Sequence, residues 1–155
     1  MNSSPTEIVR IEPATIEDLS GLTDLLMELF EEEEDFEPNQ ENQEHGLRLI
    51  LEQPRHGRIF ALRNDHTIIG MANILFTVST AAGGMAVLLE DVIVHPDHRG
   101  QGYGSKLLDH AVEFARLKKF RRITLLTDRT GEDSKRFFEK NGFVFSGMVP
   151  MRKML

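Results

Sequence analysis

The sequence contains no cysteine, no tryptophan and a single tyrosine among its 155 residues. Without cysteine the chain forms no disulfide, offers no thiolate to zinc and cannot pass through a covalent cysteine intermediate. The six histidines are scattered, and none forms an H-E-x-x-H motif or a comparable cluster. The sequence therefore predicts no metal site.

Long apolar runs, an export signal and basic patches are also missing. No apolar run approaches the roughly 20 residues that a membrane-spanning helix needs, and the polar N-terminus lacks the basic-then-apolar pattern of a secretory signal. The net charge is −7, without a basic stripe that would bind nucleic acid. We therefore expect a cytoplasmic protein with neither membrane nor nucleic-acid partners, whose acidity repels anionic substrates.

A glycine-rich loop, Arg99-Gly100-Gln101-Gly102-Tyr103-Gly104, is the strongest signal present. It follows an apolar run over residues 87–94 and precedes a helical pattern. Glycine admits positive φ and lets a ligand approach the backbone, and the start of a helix adds unpaired N–H donors with a partial positive charge. This arrangement predicts an anion site, most simply for a pyrophosphate.

The spacing of the glycines disfavours two common nucleotide loops. A dinucleotide fingerprint requires G-x-G-x-x-G in an early strand–helix turn, whereas here Ser105 stands at the third position and the loop comes late in the chain. A P-loop requires G-x-x-x-x-G-K-[ST], which is absent. A Rossmann-type nucleotide enzyme is also disfavoured because parallel strands and helices do not alternate along the chain.

The pattern Arg99-x-x-Gly102-x-Gly104 resembles the acetyl-CoA loop of the GNAT N-acetyltransferase superfamily. Residues 89–96, Leu-Glu-Asp-Val-Ile-Val-His-Pro, resemble the fourth strand of that family. Residues 137–143, Phe-Phe-Glu-Lys-Asn-Gly-Phe, resemble its last helix running into the next strand. Three segments in this order make the resemblance specific.

Hydrophobic periodicity and turn residues predict an α/β (α+β mixed) fold with the element order β-α-α-β-β-β-α-β-α-β-β. The resemblance implies the same order, as a GNAT-like, mostly antiparallel sheet of six to seven strands flanked by about four helices. We expect residues 1–155 to form a single domain. The predicted helices begin at Thr15, cover 40–53, follow the glycine loop and cover 133–140, and the predicted strands are 8–11, 58–62, 68–80, 85–94, 123–127, 143–145 and 148–154.

The resemblance implies acetyl-CoA as the co-substrate. It places the pyrophosphate against the backbone amides of the glycine loop and the pantetheine arm along the fourth strand, where the arm pairs as an added strand would. A backbone N–H near Val92 is then the expected donor to the thioester carbonyl. The cofactor-binding residues that it implies are Val92, Ile93, Val94, Arg99, Gly100, Gln101, Gly102, Tyr103, Gly104, Ser105 and Ser134.

The implied reaction is attack of an amine on acetyl-CoA, which needs a proton acceptor because alkyl amines are protonated at neutral pH. Glu90 matches the position at which several family members carry a candidate base, and it is the predicted catalytic residue. Adjacent strand residues point to opposite faces, so only one of Glu90 and Asp91 is expected to face the cleft. Two alternatives stay open: Glu90 only binds the substrate ammonium, or it pairs structurally with Arg58 or Arg63.

One residue departs from the pattern of the family. Many members carry a tyrosine in the last helix that protonates the leaving thiolate, and the matching position here is Phe138. The single tyrosine, Tyr103, lies inside the glycine loop. A general acid is therefore left to water or Ser134, or none is used. This departure keeps a second function open, a catalytically weak acyl-CoA-binding module.

The acceptor is not specified by these motifs. The resemblance implies an amine of a small molecule or peptide. An acidic run at residues 31–37 either recruits a cationic amine or forms a solvated loop. A homodimer that pairs through residues 148–154 also stays open.

Overall fold

The computed structural model describes residues 8–32, 37–127 and 131–155. The chain divides into two compact units, one ending at Leu125 and the other running from Leu126 to Leu155. Within the described ranges, the first unit holds a sheet and three helices, and the second holds one helix. The single domain expected over residues 1–155 stays a prediction.

The sheet of the first unit has five strands. They pair in chain order, as β1 (Val9–Pro13), β2 (Gly57–Asn64), β3 (Thr67–Ser79), β4 (Gly84–Val94) and β5 (Ile123–Leu125). The first four strands are antiparallel to their neighbours, in agreement with the expected, mostly antiparallel sheet. The last strand runs parallel to β4, because a helix connects the two.

Polar residues fix where the first two helices begin. Before α1, Thr15 is the N-cap of a 3-10 turn at Ile16–Asp18, and the carboxylate of Asp18 accepts a hydrogen bond of 2.8 Å from the backbone N–H of Thr15, the residue at which the first helix is predicted to begin. Before α2, the Asn39 side chain accepts a hydrogen bond from the N–H of Asn42. The helices of the first unit are α1 (Leu19–Glu32), α2 (Gln40–Leu51) and α3 (Tyr103–Leu117).

Helices cover both faces of the sheet. On β3, Met71 lies in a buried cluster with α1 and α2. Its neighbour Gly70 lies under α3, where a Cβ would stand 3.1 Å from Cδ1 of Leu107. Because successive strand residues point to opposite faces, α1 and α2 cover one face and α3 covers the other. Glycine at position 70 therefore allows α3 to approach the sheet closely.

The described part of the second unit contains α4 (Glu132–Lys140) and an irregular C-terminal segment. The helix ends at Lys140, as predicted, before the pair Asn141-Gly142: the Asn141 side chain donates to the carbonyl of Phe137 at 2.8 Å, and Gly142 has a φ of +92°.

The strands predicted at 143–145 and 148–154 are wrong. Apolar alternation alone does not make a strand, since its N–H and C=O groups need a neighbouring strand, and the described residues pair none with this segment. Val144 and Met151 are accordingly 87% and 96% exposed. The described sheet thus has five strands rather than six to seven, and the strand considered for a homodimer is absent from it.

A charged cluster ties β1, β2 and the start of α1 together. Arg63 donates to Asp18 through Nη2 at 2.6 Å and to Glu12 through Nε at 2.5 Å. The side chains of Arg63 and Asp18 are each only 12% exposed. Burial raises the pKa of the Asp18 carboxyl, but hydrogen bonds from Arg63 and from the Thr15 N–H outweigh it, so that the pKa lies below its usual value.

Replacing Asp18 with asparagine should lower the free energy of unfolding at pH 7 by about 1–3 kcal/mol, because Arg63 loses its charged partner. The pKa of Asp18 is lower in the folded protein than in the unfolded chain, where it is about 3.9, so the ionised carboxylate stabilises the fold above about pH 3.9. This stabilisation is lost as the pH falls through the folded-state pKa. The loss should therefore shrink between pH 7 and pH 3, as measured by urea unfolding. Glu17→Gln at an exposed neighbour is the control, and an equal loss at both pH values would contradict the ionic contribution.

Candidate functional site

The glycine loop connects β4 to α3. After Val94 the chain makes a short 3-10 turn at Pro96–His98 and then enters the loop. Gly100 and Gly102 have φ values of +78° and +80°, a region that residues with a side chain rarely adopt. A Cβ built on either glycine meets no atom within 4 Å. The loop therefore has open space in front of it, and its backbone conformation is one that only glycine adopts readily.

The first turn of α3 has backbone N–H groups that find no acceptor within the helix. Gly102 is the N-cap and provides no side-chain hydrogen bond to the first turn. The first N–H groups of a helix have no partner within it, and the helix dipole adds a partial positive charge there. Gly104 and Ser105 lie half-buried in this turn, Gln101 is exposed, and the Tyr103 side chain is buried. An anion in front of the loop would face this turn.

Arg99 opens the loop, and its side chain turns back toward the strand. Its Nε donates to the carbonyl oxygen of Val94 at 3.0 Å. This bond spans the 3-10 turn and ties the loop to the end of β4. The structure thus gives Arg99 a part in holding the loop, which the sequence motif does not indicate.

One edge of β4 is only partly paired. On one side β3 pairs with β4 from Gly84 to Val94. On the other side β5 pairs with Val87–Leu89 only, and the described residues provide no strand beyond that point. Residues 90–94 therefore have a free edge that leads into the glycine loop, as the addition of an extended ligand requires.

A bulge interrupts β4 where this free edge begins. Ile74 of β3 pairs with Leu89, and the preceding Asn73 pairs with Asp91, so Glu90 is the extra residue on β4. The expectation that Glu90 and Asp91 face opposite sides assumed regular alternation, which the bulge interrupts. Which of the two carboxylates faces the cleft stays a prediction.

The bulge also decides which backbone groups reach the free edge. The Val87 N–H donates toward the β5 side, to Arg122 at 2.9 Å, whereas the His95 N–H donates toward β3, to Ile69 at 2.8 Å. Regular alternation would send both N–H groups to the same side, because the two residues are an even number of positions apart. The switch at the bulge therefore turns the N–H and C=O groups of residues 92 and 94 toward the free edge.

The three strand residues that the sequence assigns to the pantetheine arm are thus not equivalent. Val92 and Val94 present their backbone groups to the free edge, and the Val94 oxygen already accepts from Arg99. Ile93 turns its backbone toward β3 and its side chain into the core, where it is 3% exposed. Backbone contact with a ligand at this edge is therefore open to Val92 and to the Val94 N–H.

Glu90 is exposed at the bulge, directly after the last residue that pairs with β5. Its structural pairing with Arg58 or Arg63 is not found. Arg63 binds Asp18 and Glu12, and the Arg58 guanidinium lies over the ring of Phe114, 5.4 Å from its centroid. Two interpretations of Glu90 therefore remain: it accepts a proton from the amine, or it only binds the substrate ammonium.

Sequence reasoning missed Asn73. This residue is buried in β3, and its Nδ2 donates to Oδ2 of Asp91 at 3.0 Å. The signal that could have identified it is a single amide within the otherwise apolar segment 68–76.

Ser134 and Phe138 lie on α4, in the second unit. Ser134 is exposed in the first turn of the helix. The ring of Phe138 is half-buried and contacts the rings of Phe137 and Phe143, at centroid distances of 5.1 and 5.9 Å. The roles expected for both residues stay predictions.

An acidic cavity lies in the first unit, apart from the bulge. Its volume is about 480 Å³, and its lining includes Asp24, Glu28, His66 and His95. His95 is five residues beyond Glu90, about 16 Å along an extended strand. The cavity lining therefore includes the residue that directly follows the free edge of β4, and it does not include Glu90.

Three observations concern the predicted charge, metal and membrane properties. Residues 33–36 of the acidic run fall outside the described ranges. In the part of the chain that the structure describes, no three His, Asp or Glu side chains form a group that could hold a metal ion. Across the same residues, no helix is long and apolar enough to cross a membrane.

Residues 19–143 match the family described as Acetyltransferase (GNAT) family. Among curated proteins, the chain is 33% identical over 87 residues to glucosamine 6-phosphate N-acetyltransferase of Trypanosoma brucei brucei, covering 56% of this chain and 57% of that protein. It is 28% identical to aminoalkylphosphonate N-acetyltransferase of Salmonella typhimurium, covering 88% of this chain and 85% of that protein. The match to the glucosamine 6-phosphate N-acetyltransferase thus spans little more than half of that protein's length.

The fold is shared with solved acetyltransferase structures. An aminoglycoside N-acetyltransferase in complex with CoA superposes with a TM-score of 0.80 at 19% identity, covering 95% of each chain. At this identity the likeness concerns the fold, and it confirms the predicted fold class.

Proposed function

Because the chain belongs to the acetyltransferase (GNAT) family, we propose that it transfers the acetyl group of acetyl-CoA to an amine of a small molecule or peptide, by direct attack in a ternary complex. The observation that carries this proposal is a positive-φ glycine loop continuous with a free strand edge. The two curated relatives named above are both N-acetyltransferases, which supports nitrogen as the acceptor atom.

Acetyl-CoA fits the loop and the strand edge. Open space in front of Gly100 and Gly102 leaves room for a pyrophosphate beside the donors of the first turn of α3. Backbone groups of Val92 and Val94 suit an extended, amide-containing arm, and the Val92 N–H is the proposed donor to the thioester oxygen. Acetyl-CoA supplies an electrophilic carbonyl carbon.

Glu90 is the proposed proton acceptor for the amine. An alkyl amine with a pKa of about 10.4 is roughly one part in 2,500 free base at pH 7, which corresponds to about 4.6 kcal/mol. An exposed carboxylate at the start of the free edge can take this proton directly or through a water molecule. The net charge of −7 supports a neutral or cationic acceptor over an anionic one.

The last helix supports no tyrosine acid, since Phe138 stands at that position. We propose that a water molecule or Ser134 supplies any proton that the departing thiolate needs. A thiol with a pKa of about 8.5 is a sufficiently good leaving group for this to be enough. Phe138 is also the observation that favours the second candidate function, an acyl-CoA-binding module with little turnover.

A screen with thiol detection separates these functions. The purified chain is incubated with acetyl-CoA and a panel of amines, amino acids, polyamines and peptides, and the released CoA thiol is measured. We expect thiol release that depends on at least one amine. Acetyl-CoA binding by calorimetry without any turnover would favour the binding module, and neither binding nor turnover would contradict both proposals.

A further inference from the structure

A second carboxylate stands beside Glu90, and a buried amide holds it in place. Asp91 faces Asn73 across β3 and β4, and the Asn73 Nδ2 donates to Asp91 Oδ2 at 3.0 Å. Asn73 is only 3% exposed. The orientation of the Asp91 carboxylate is therefore tied to a side chain that the surrounding core immobilises.

The burial of Asn73 is unfavourable for stability. Its Oδ1 atom is inaccessible and accepts no hydrogen bond from the residues that the structure describes. A buried polar atom without a partner is destabilising, and leucine, which is close in size, would avoid the penalty. Packing therefore does not explain an asparagine at this position, whereas the bond to Asp91 does.

The position of Asp91 is at the margin of the helix layer. Ile59 pairs with Asn73 on the β2 side, and Met71 pairs with Ile93 one step along the same face; all three apolar residues are buried in the cluster with α1 and α2. Asp91 is only half-buried. Helices α1 and α2 therefore cover this face of the sheet less completely at Asp91. Asp91 lies next to exposed Glu90, at the point where the pairing of β4 with β5 ends.

Resting on the acetyl transfer proposed above, we propose that Asp91 binds the acceptor amine and that Asn73 is the positioning residue that orients Asp91. A primary ammonium has three N–H groups. Glu90 accepts one proton, and an Asp91 oxygen accepts a hydrogen bond from another N–H, which fixes the direction of the nitrogen lone pair. Because Nδ2 of Asn73 can only donate, it constrains one oxygen of Asp91 and thereby contributes to the orientation of the carboxylate.

Asp91→Asn and Asn73→Leu test this assignment, with the amine found in the screen as substrate. Asp91→Asn should raise the amine KM by about 10–100-fold, as loss of a charge-assisted hydrogen bond does, and leave the acetyl-CoA KM unchanged. Asn73→Leu should raise the amine KM by about tenfold while its Tm stays equal or rises. The double variant should be no worse than Asp91→Asn, because Asn73 acts through Asp91. Asp109→Asn on exposed α3 surface is the matched control.

Other results would overturn the assignment. A structural role predicts that Asn73→Leu lowers Tm without raising the amine KM, or that the two substitutions add in the double variant. An active wild type whose amine KM is unchanged by Asp91→Asn, which keeps an acceptor for Asn73, overturns this assignment alone. A wild type that binds acetyl-CoA and acetylates no amine overturns the proposed function and, with it, this assignment.

Discussion

Replacing Glu90 with glutamine should lower kcat for amine acetylation by about 10²–10⁴-fold at pH 7. Glutamine keeps the size of the side chain and an acceptor oxygen, but it cannot take up a proton from the ammonium. The defect should be largest at low pH and should diminish toward pH 10, because free amine then becomes abundant without help from the protein. A pH profile of kcat for the wild type and the variant measures this.

Glu113→Gln is the matched control for this variant. Glu113 is an exposed glutamate on α3 of the same unit, so its replacement changes the net charge equally. The control should behave as the wild type at every pH. If Glu90→Gln raised only the amine KM and left kcat unchanged across the pH range, Glu90 would be an ammonium-binding residue rather than the base.

Replacing Gly102 with alanine should raise the KM for acetyl-CoA by about 10–100-fold, equivalent to roughly 1.4–2.8 kcal/mol. The added Cβ points into the open space proposed for the pyrophosphate, and the φ of +80° strains any residue with a side chain by about 1–2 kcal/mol. Initial rates at varied acetyl-CoA, together with calorimetric binding, measure the effect.

Gly83→Ala separates the effect on the ligand from the strain. Gly83 lies in the turn between β3 and β4, has a φ of +75° and also meets no atom within 4 Å of a built Cβ. Both variants should therefore lose a similar amount of stability in urea unfolding, and only Gly102→Ala should change the acetyl-CoA KM. Equal changes in KM for both variants would indicate general destabilisation and contradict the loop assignment.

The sequence predicted those features that have a local chemical cause. The glycine loop could be identified because positive φ selects glycine, and the start of the first helical segment because Thr15 is its N-cap and donates its N–H to Asp18. Most strand positions followed from apolar runs between turn residues. These signals lie within a few residues of the structure that they produce.

Features that depend on the register between strands were not predictable in this way. The bulge at Glu90 lies inside a run without glycine or proline, and it becomes visible only when Asn73 and Asp91 are paired. Asp18 and Arg63 are 45 positions apart, and their ion pair likewise depends on how β1 and β2 meet. The failed strands at 143–145 and 148–154 show the same limit, because alternation does not reveal whether a partner strand is available.

The switch of backbone direction at the bulge has a consequence for how this chain can evolve. Residues 92 and 94 offer a ligand their N–H and C=O groups rather than their side chains, and every amino acid except proline carries both groups. Mutation can therefore replace the valines without removing the contacts, provided that the extra residue at position 90 is kept. Deletion of that one residue would instead return residues 92 and 94 to the opposite direction. The length of this strand is thus under stronger constraint than its composition.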